Sequence, residues 1–285
     1  MSNPDSEAYY YDALPAYVLE NLGSTRVRTK KTFLRQLAKM DYPPELIEAF
    51  QYIDRNLFLP PDYPEKYAYS KITPHLKRER GKLISSVSEP GVVAKMTALL
   101  DIQKGDNVLE VGTGSGYQGA IISWLVGEKG VVRTIEYDER VAQFAESNLH
   151  NLGIENVEVI VGDGSCGYEM GAPYDRIIVT ASLPPVLLKD SPLFQQLKPG
   201  GVMVAPVGGF EYEGNCHMVA IGKSETQDPF LAKPVNISEH FSFVSMQGMH
   251  GWDAYKQGIM FGQAFYFMHT LGWGVSPQEC LQQWR

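Results

Sequence analysis

Between residues 107 and 207, short apolar runs rich in β-branched side chains alternate with stretches of helical period, and this alternation limits the fold more than any other feature. The predicted strands are Asn107–Val111, Val131–Glu136, Val157–Val161, 174–180 and 202–207, with helices over 116–126, 139–152 and 186–196. Strands apolar on both faces and separated by helices imply a doubly wound, mostly parallel α/β sheet covered by helices. Further strands are expected at 217–221 and 241–244, one of them an antiparallel edge. Upstream, 32–40 and 44–53 read as helices, 60–80 as a proline- and tyrosine-rich loop, and 91–100 as a helix striped by Val92, Val93, Met96, Leu99 and Leu100. The aromatic-rich 254–285 reads as a C-terminal helical extension. The chain thus divides into an N-terminal helical, acceptor-side segment 1–82, a ligand-binding domain 83–222 and a C-terminal segment 223–285.

The first of these strands runs through Val108-Leu109-Glu110-Val111 into Gly112-Thr113-Gly114-Ser115-Gly116-Tyr117, a bend with glycine at every second position before a helix. Glycine allows positive φ and lets a ligand lie against bare backbone, and the carboxyl ends of parallel strands are where such sheets bind ligands. A dinucleotide fingerprint needs a third small residue three positions beyond its second glycine. Counted from Gly112 that position is Tyr117; counted from Gly114 it is Gly119, so spacing leaves the second register open. The acids favour a different ligand. Glu110 stands two residues before the first glycine, where a carboxylate repels a pyrophosphate but suits an amino group or a sulfonium. Glu136 ends the second strand, where it can take both hydroxyls of a ribose, and Asp163 follows the third, within the reach of an adenine amino group. Three carboxylates at three successive strand ends match a cationic nucleoside better than a phosphate ester.

Composition excludes other classes. A net charge of −8 gives little attraction for nucleic-acid phosphates. No apolar run approaches the length of a bilayer span, and no basic region followed by an apolar one opens the chain. Cys166, Cys216 and Cys280 are widely spaced, which suggests neither disulfides nor a metal site; a cytoplasmic protein is expected, its oligomeric state open. Arg26, Arg28, Lys30, Lys31 and Arg35 form a local basic cluster, read as a solvated helix face or, alternatively, a docking surface for an acidic peptide.

The stretch from 85 to 208 resembles the protein-L-isoaspartate (D-aspartate) O-methyltransferases. The pieces that carry the likeness are Val87-Ser88-Glu89-Pro90, the run 108–118 (VLEVGTGSGYQ), Ile135-Glu136, Gly162-Asp163-Gly164, 173–181 (PYDRIIVTA) and 199–208 (PGGVMVAPVG). Weaker echoes lie at 54–59 (DRNLFL) and 241–252, where Phe243-Val244 and His250-Gly251-Trp252 look like a segment that closes over the substrate. The resemblance implies a seven-stranded Rossmann-like methyltransferase sheet, S-adenosyl-L-methionine as methyl donor with S-adenosyl-L-homocysteine as product, and an aspartyl or isoaspartyl carboxylate of a protein or peptide as acceptor. It matches Ser88 to the serine at the reacting carboxylate, and Glu110, Gly112, Glu136, Asp163 and Gly164 to cofactor contacts. Thr113, Gly114, Ser115, Gly116, Tyr117, Tyr137 and Thr180 are expected to line the same ligand, and Ser86, Val87, Val244 and His250 the acceptor. Departures fall on the acceptor side: Ser85-Ser86-Val87-Ser88 where the family has Gln-Thr-Ile-Ser, a longer basic stretch over 67–82, and Ser245 where proline is usual.

A carboxylate acceptor, with a pKa of about 4, is already ionised at neutral pH and needs no general base. That agrees with the absence of any nucleophile–base constellation in the sequence. Ser88 would donate a hydrogen bond to one acceptor oxygen, although it also stands where it can cap the 91–100 helix. Two alternatives share the cofactor site: a relative that esterifies aspartate in a dedicated precursor peptide, and a cofactor-binding interaction protein without turnover.

Overall fold

The computed structural model describes residues 9–10, 26–80, 82–184, 191–208, 216–224, 230–234 and 242–252. The expected helix over 254–285, most of the first half of the one over 186–196, and Phe241 lie outside them. In chain order the strands are β1 Tyr9–Tyr10, β2 His75–Glu79, β3 Lys82–Ser86, β4 Asn107–Val111, β5 Val131–Glu136, β6 Val157–Val161, β7 Tyr174–Val179, β8 Leu197–Val207, β9 His217–Lys223 and β10 Phe230–Pro234. The helices are α1 Lys30–Leu37, α2 Pro44–Tyr52, α3 Pro90–Leu100, α4 Tyr117–Val126, α5 Glu139–Asn151 and α6 Pro192–Gln195. Two compact units share the chain: Met1–Asp106 with Thr113–Val161, and Asn107–Gly112 with Gly162–Arg285.

The first unit is held by an aromatic-rich core. Phe33 of α1, Leu46 and Phe50 of α2, Phe58, and Tyr117 and Ile121 of α4 are almost wholly buried. The Tyr117 ring meets Phe50 edge-on at 6.2 Å and Phe58 at 5.4 Å between centroids, geometries that add to the burial of the rings themselves. Thr29 caps α1 through a bond from the Thr32 N–H, and Pro44 starts α2, where its missing N–H has no helical partner to lose. Two cations of the basic cluster are engaged within the unit: Arg28 pairs with Glu89 at 2.5 Å and Lys30 with Asp54 at 3.5 Å. β5 and β6 run parallel, with Val132 opposite Val157, and α5 is capped by Asp138, which accepts from the Arg140 and Val141 N–H groups.

The second unit carries five strands in the order β10-β9-β8-β7-β4. β4 pairs with β7 and β7 with β8 in parallel; β8–β9 and β9–β10 are antiparallel. Val108, Leu109, Ile177, Ile178 and Val204 are fully buried, which is why these strands read as continuous apolar runs rather than alternating ones. The side-chain amide of Asn107 donates to the carbonyls of Gly171 and Pro173 at 2.8 and 3.0 Å, anchoring the start of β4.

Two expectations are corrected. The stretch 60–80 is not all loop: β2 and β3 form a hairpin turned at Arg80, whose φ is +48°. Only Leu76 of β2 is buried, so no apolar alternation marked it. The strand expected over 241–244 does not form among its described residues, and the segment makes a single parallel bridge, Ser182 with Ser245. That bridge uses the Val244 carbonyl and the Met246 N–H, not groups of residue 245, so the usual proline and this serine serve it equally.

Candidate functional site

The first unit holds the later part of the glycine bend and the loop that carries Ser88. Gly114 and Gly116 have φ of +55° and +85°. The Gly114 N–H donates to Glu136 Oε2 at 2.9 Å, the Asp138 N–H donates to Glu136 Oε1 at 3.2 Å, and the Gly116 N–H donates to the Thr113 carbonyl. Two of the bend's amides, those of Gly114 and Gly116, are therefore spent on a carboxylate and a carbonyl, whereas a dinucleotide site keeps its bend amides for phosphate. Glu136 is 7% exposed. Burial raises its pKa, and the N–H bonds from Gly114 and Asp138 oppose that without reversing it. Thr113 shares a 2.7 Å bond with Thr134, and Ser115 is buried with its carbonyl accepting from Asn148. Tyr137 is exposed. Tyr117, expected against the cofactor, is 2% exposed and packs among the core rings instead. Its place at the first helical position turns it inward.

Ser88 sits in a loop whose position is fixed from beneath by Arg55, a fully buried cation with no counterpart in the expected site. The Arg55 guanidinium donates to the carbonyls of Ser88 at 2.8 Å, Val87 at 3.1 Å and Ala68. Burial lowers its pKa, with the neighbouring Tyr117, Tyr63 and Glu89 acting in the opposite direction. Val87, expected as an acceptor contact, buries its side chain and spends its N–H on the Pro74 carbonyl, so it anchors the loop. Ser88 does not cap α3; Glu89 does, its Oε2 accepting from the Val92 N–H at 3.0 Å. Among the described residues the Ser88 hydroxyl has no hydrogen-bond partner, which leaves it available to a ligand. Ser86 lies in β3 opposite His75. The signal for Arg55 was present in the DRNLFL run, but nothing there said whose carbonyls it would hold.

The second unit carries Glu110, Gly112, Asp163, Gly164, Thr180, Val244 and His250. Glu110 is fully buried in β4. Gly112 has φ +96°, and a Cβ there would stand 2.3 Å from Thr180 Oγ1; the Thr180 hydroxyl reaches the Gly112 carbonyl at 2.6 Å. Thr180 thus braces the bend. Asp163 caps a short 3-10 turn over Gly164–Cys166. Its Oδ1 accepts from the Ser165 N–H and hydroxyl at 2.9 and 2.6 Å, and its Oδ2 accepts from the Met249 N–H at 2.7 Å. Burial alone would raise its pKa, but these bonds lower it, with a smaller contribution from His250. The His250 N–H donates to Ser165 Oγ at 3.0 Å, and the Val244 carbonyl accepts from Ser182. Trp252 locks the end of the segment through its indole N–H to Ser182.

The family model for protein-L-isoaspartate (D-aspartate) O-methyltransferase matches residues 28–249. Protein-L-isoaspartate O-methyltransferase 2 of Archaeoglobus fulgidus is 48% identical over 164 residues, 58% of this chain and 71% of that protein. The Methanosarcina mazei enzyme is 38% identical over 208 residues, 73% of this chain and 79% of its own. A solved protein-L-isoaspartate O-methyltransferase superposes with a TM-score of 0.66 at 30% identity, covering 78% of this chain and 67% of that one. A Plasmodium falciparum structure described as a putative member, in complex with S-adenosyl-L-homocysteine, gives a TM-score of 0.59 at 17% identity and shares the fold. The fold is the mostly parallel, Rossmann-like methyltransferase α/β fold, and the chain belongs to the protein-L-isoaspartate (D-aspartate) O-methyltransferase family.

Proposed function

We propose that this protein transfers the methyl group of S-adenosyl-L-methionine to the free carboxylate of an isoaspartyl residue in a protein or peptide. Family membership supports the reaction class. The observation that carries the cofactor assignment is Glu136: a buried carboxylate that ends β5 and takes the Gly114 amide of the bend, so that hydroxyl donors suit the place and phosphate does not. Glu110, Gly112, Gly114, Glu136, Asp163 and Gly164 would hold the nucleoside. When bound, the sulfonium supplies an activated methyl group.

The chain's own contribution is positioning. An ionised acceptor needs no proton removed, so alignment and exclusion of water are what the protein supplies, and such positioning is worth roughly 7–11 kcal/mol of barrier. Ser88 donates a hydrogen bond from its hydroxyl to one acceptor oxygen, leaving the other to face the methyl group. Arg55 keeps the Ser88 backbone from drifting by holding its carbonyl. Neither a dedicated peptide substrate nor a non-catalytic role is favoured by the family comparison. On the wide spacing of its cysteines we place the enzyme in the cytoplasm, and on the charge of −8 without a nucleic-acid partner; among the described residues no helix is long and apolar enough to cross a membrane. Incubation with methyl-labelled cofactor and a pair of synthetic peptides differing only in aspartyl or isoaspartyl linkage tests the reading. A base-labile ester on the isoaspartyl peptide alone is expected, and an unlabelled isoaspartyl peptide would refute it.

A further inference from the structure

Asp163 is shared between two tasks. A carboxylate oxygen has two acceptor positions. Both on Oδ1 are filled, by the N–H and hydroxyl of Ser165, while Oδ2 has the Met249 N–H and, weakly, the Cys166 thiol at 3.8 Å. One good acceptor position therefore remains, on a side chain that is only partly buried. The same carboxylate and the Ser165 hydroxyl also hold the 242–252 segment, through the amides of Met249 and His250. Contact is close enough to require glycine: a Cβ on Gly248, whose φ is +99°, would fall 1.9 Å from Asp163 Oδ1.

We infer that Ser165 and Gly248 are positioning residues that couple cofactor binding to the seating of the 242–252 segment, Asp163 serving as common anchor. This inference rests on the cofactor reading above, with the adenine amino group donating to Oδ2. A seated segment fixes the carboxylate in the orientation that receives the nucleoside. A released segment withdraws the Met249 donor and leaves the carboxylate held chiefly through Oδ1, by Ser165. Each event therefore favours the other, and by linkage the factor is the same in both directions.

S-adenosyl-L-homocysteine is the probe, with calorimetry to measure binding and hydrogen exchange to follow the amides of 245–252, so no peptide substrate is needed. In the wild type, saturation should slow exchange of the Met249 and His250 amides about tenfold, within the usual range of 5–150-fold for coupled sites. Ser165→Ala should keep binding within about threefold but lose most of that slowing, since only one hydroxyl is removed. Gly248→Ala should lose both the slowing and about tenfold in affinity; should that variant not fold, Ser165→Ala decides. Normal binding with unchanged wild-type exchange, or equal slowing in Ser165→Ala, overturns the coupling alone. A flat wild-type titration overturns the cofactor reading and the coupling with it.

Discussion

Glu136 and Asp163 stand at comparable places, one ending a parallel strand and the other two residues beyond the end of the next, yet their surroundings move them in opposite directions. Glu136 is closed in and turned toward the bend that follows β4, and burial raises its pKa. Asp163 is half open and tied to a segment some 86 residues away, and donated hydrogen bonds lower its pKa. Position on a sheet therefore does not fix the electrostatic character of an acid; what donates to it does. Glu136 is tied to the amides of Gly114 and Asp138 nearby in its own unit, whereas Asp163 ties its own short turn to the 242–252 segment.

Variants can break or sharpen this contrast. Glu136→Gln keeps the shape and removes the charge, and should weaken S-adenosyl-L-homocysteine about 100-fold by calorimetry, the scale of a buried charged hydrogen-bond acceptor lost together with the fit around it. Because the native carboxyl titrates above the ordinary glutamate value, wild-type affinity should also fall earlier on acidification than an exposed glutamate would allow. Ser88→Ala touches neither acid and serves as the acceptor-side control: turnover on an isoaspartyl peptide should drop roughly 30-fold, with cofactor affinity unchanged within twofold. Asp163→Asn, which keeps acceptor capacity on one oxygen, should lose only about tenfold in cofactor affinity. Equal losses at 136 and 163 would erase the distinction drawn between them.

The smallest effect comes from the hairpin. Burial, reinforced by Arg78, lowers the His75 pKa to about 4. The unfolded chain takes up this proton near pH 6.5 and the folded one only near 4, so the stabilisation is complete above 6.5 and is lost as the pH falls toward 4. After discounting for partial solvent exposure the loss is about 1 kcal/mol. Urea midpoints between pH 7 and 4.5 should show it, and His75→Gln should flatten it, giving the background against which the acid dependence of Glu136 is read.

Much of this was legible in the sequence where one physical signal dominated. The bounds of β4, β5 and β6 follow from their apolar runs, and the bend from its glycines. The β2–β3 hairpin was hidden because Lys77, Arg78 and Lys82 occupy strand positions that usually announce loops. Tyr117 misled because proximity to a ligand-binding bend does not say which way a side chain at a helix start will turn. Glu89 rather than Ser88 is the helix cap because α3 opens at Pro90, which makes residue 89 the capping position. The ties from Asp163 to Met249 and from Arg55 to Ser88 join parts of the chain that no local pattern connects.

Arg55 has a consequence for how such an enzyme diversifies. It grips main-chain oxygens, which every amino acid supplies, so its hold on residues 87 and 88 does not depend on the side chain displayed at 88. The side chain at 88 can then be exchanged without rebuilding the path of residues 87 and 88, whose carbonyls Arg55 holds. Substitution at 88 thus changes the side chain presented while its support stays put.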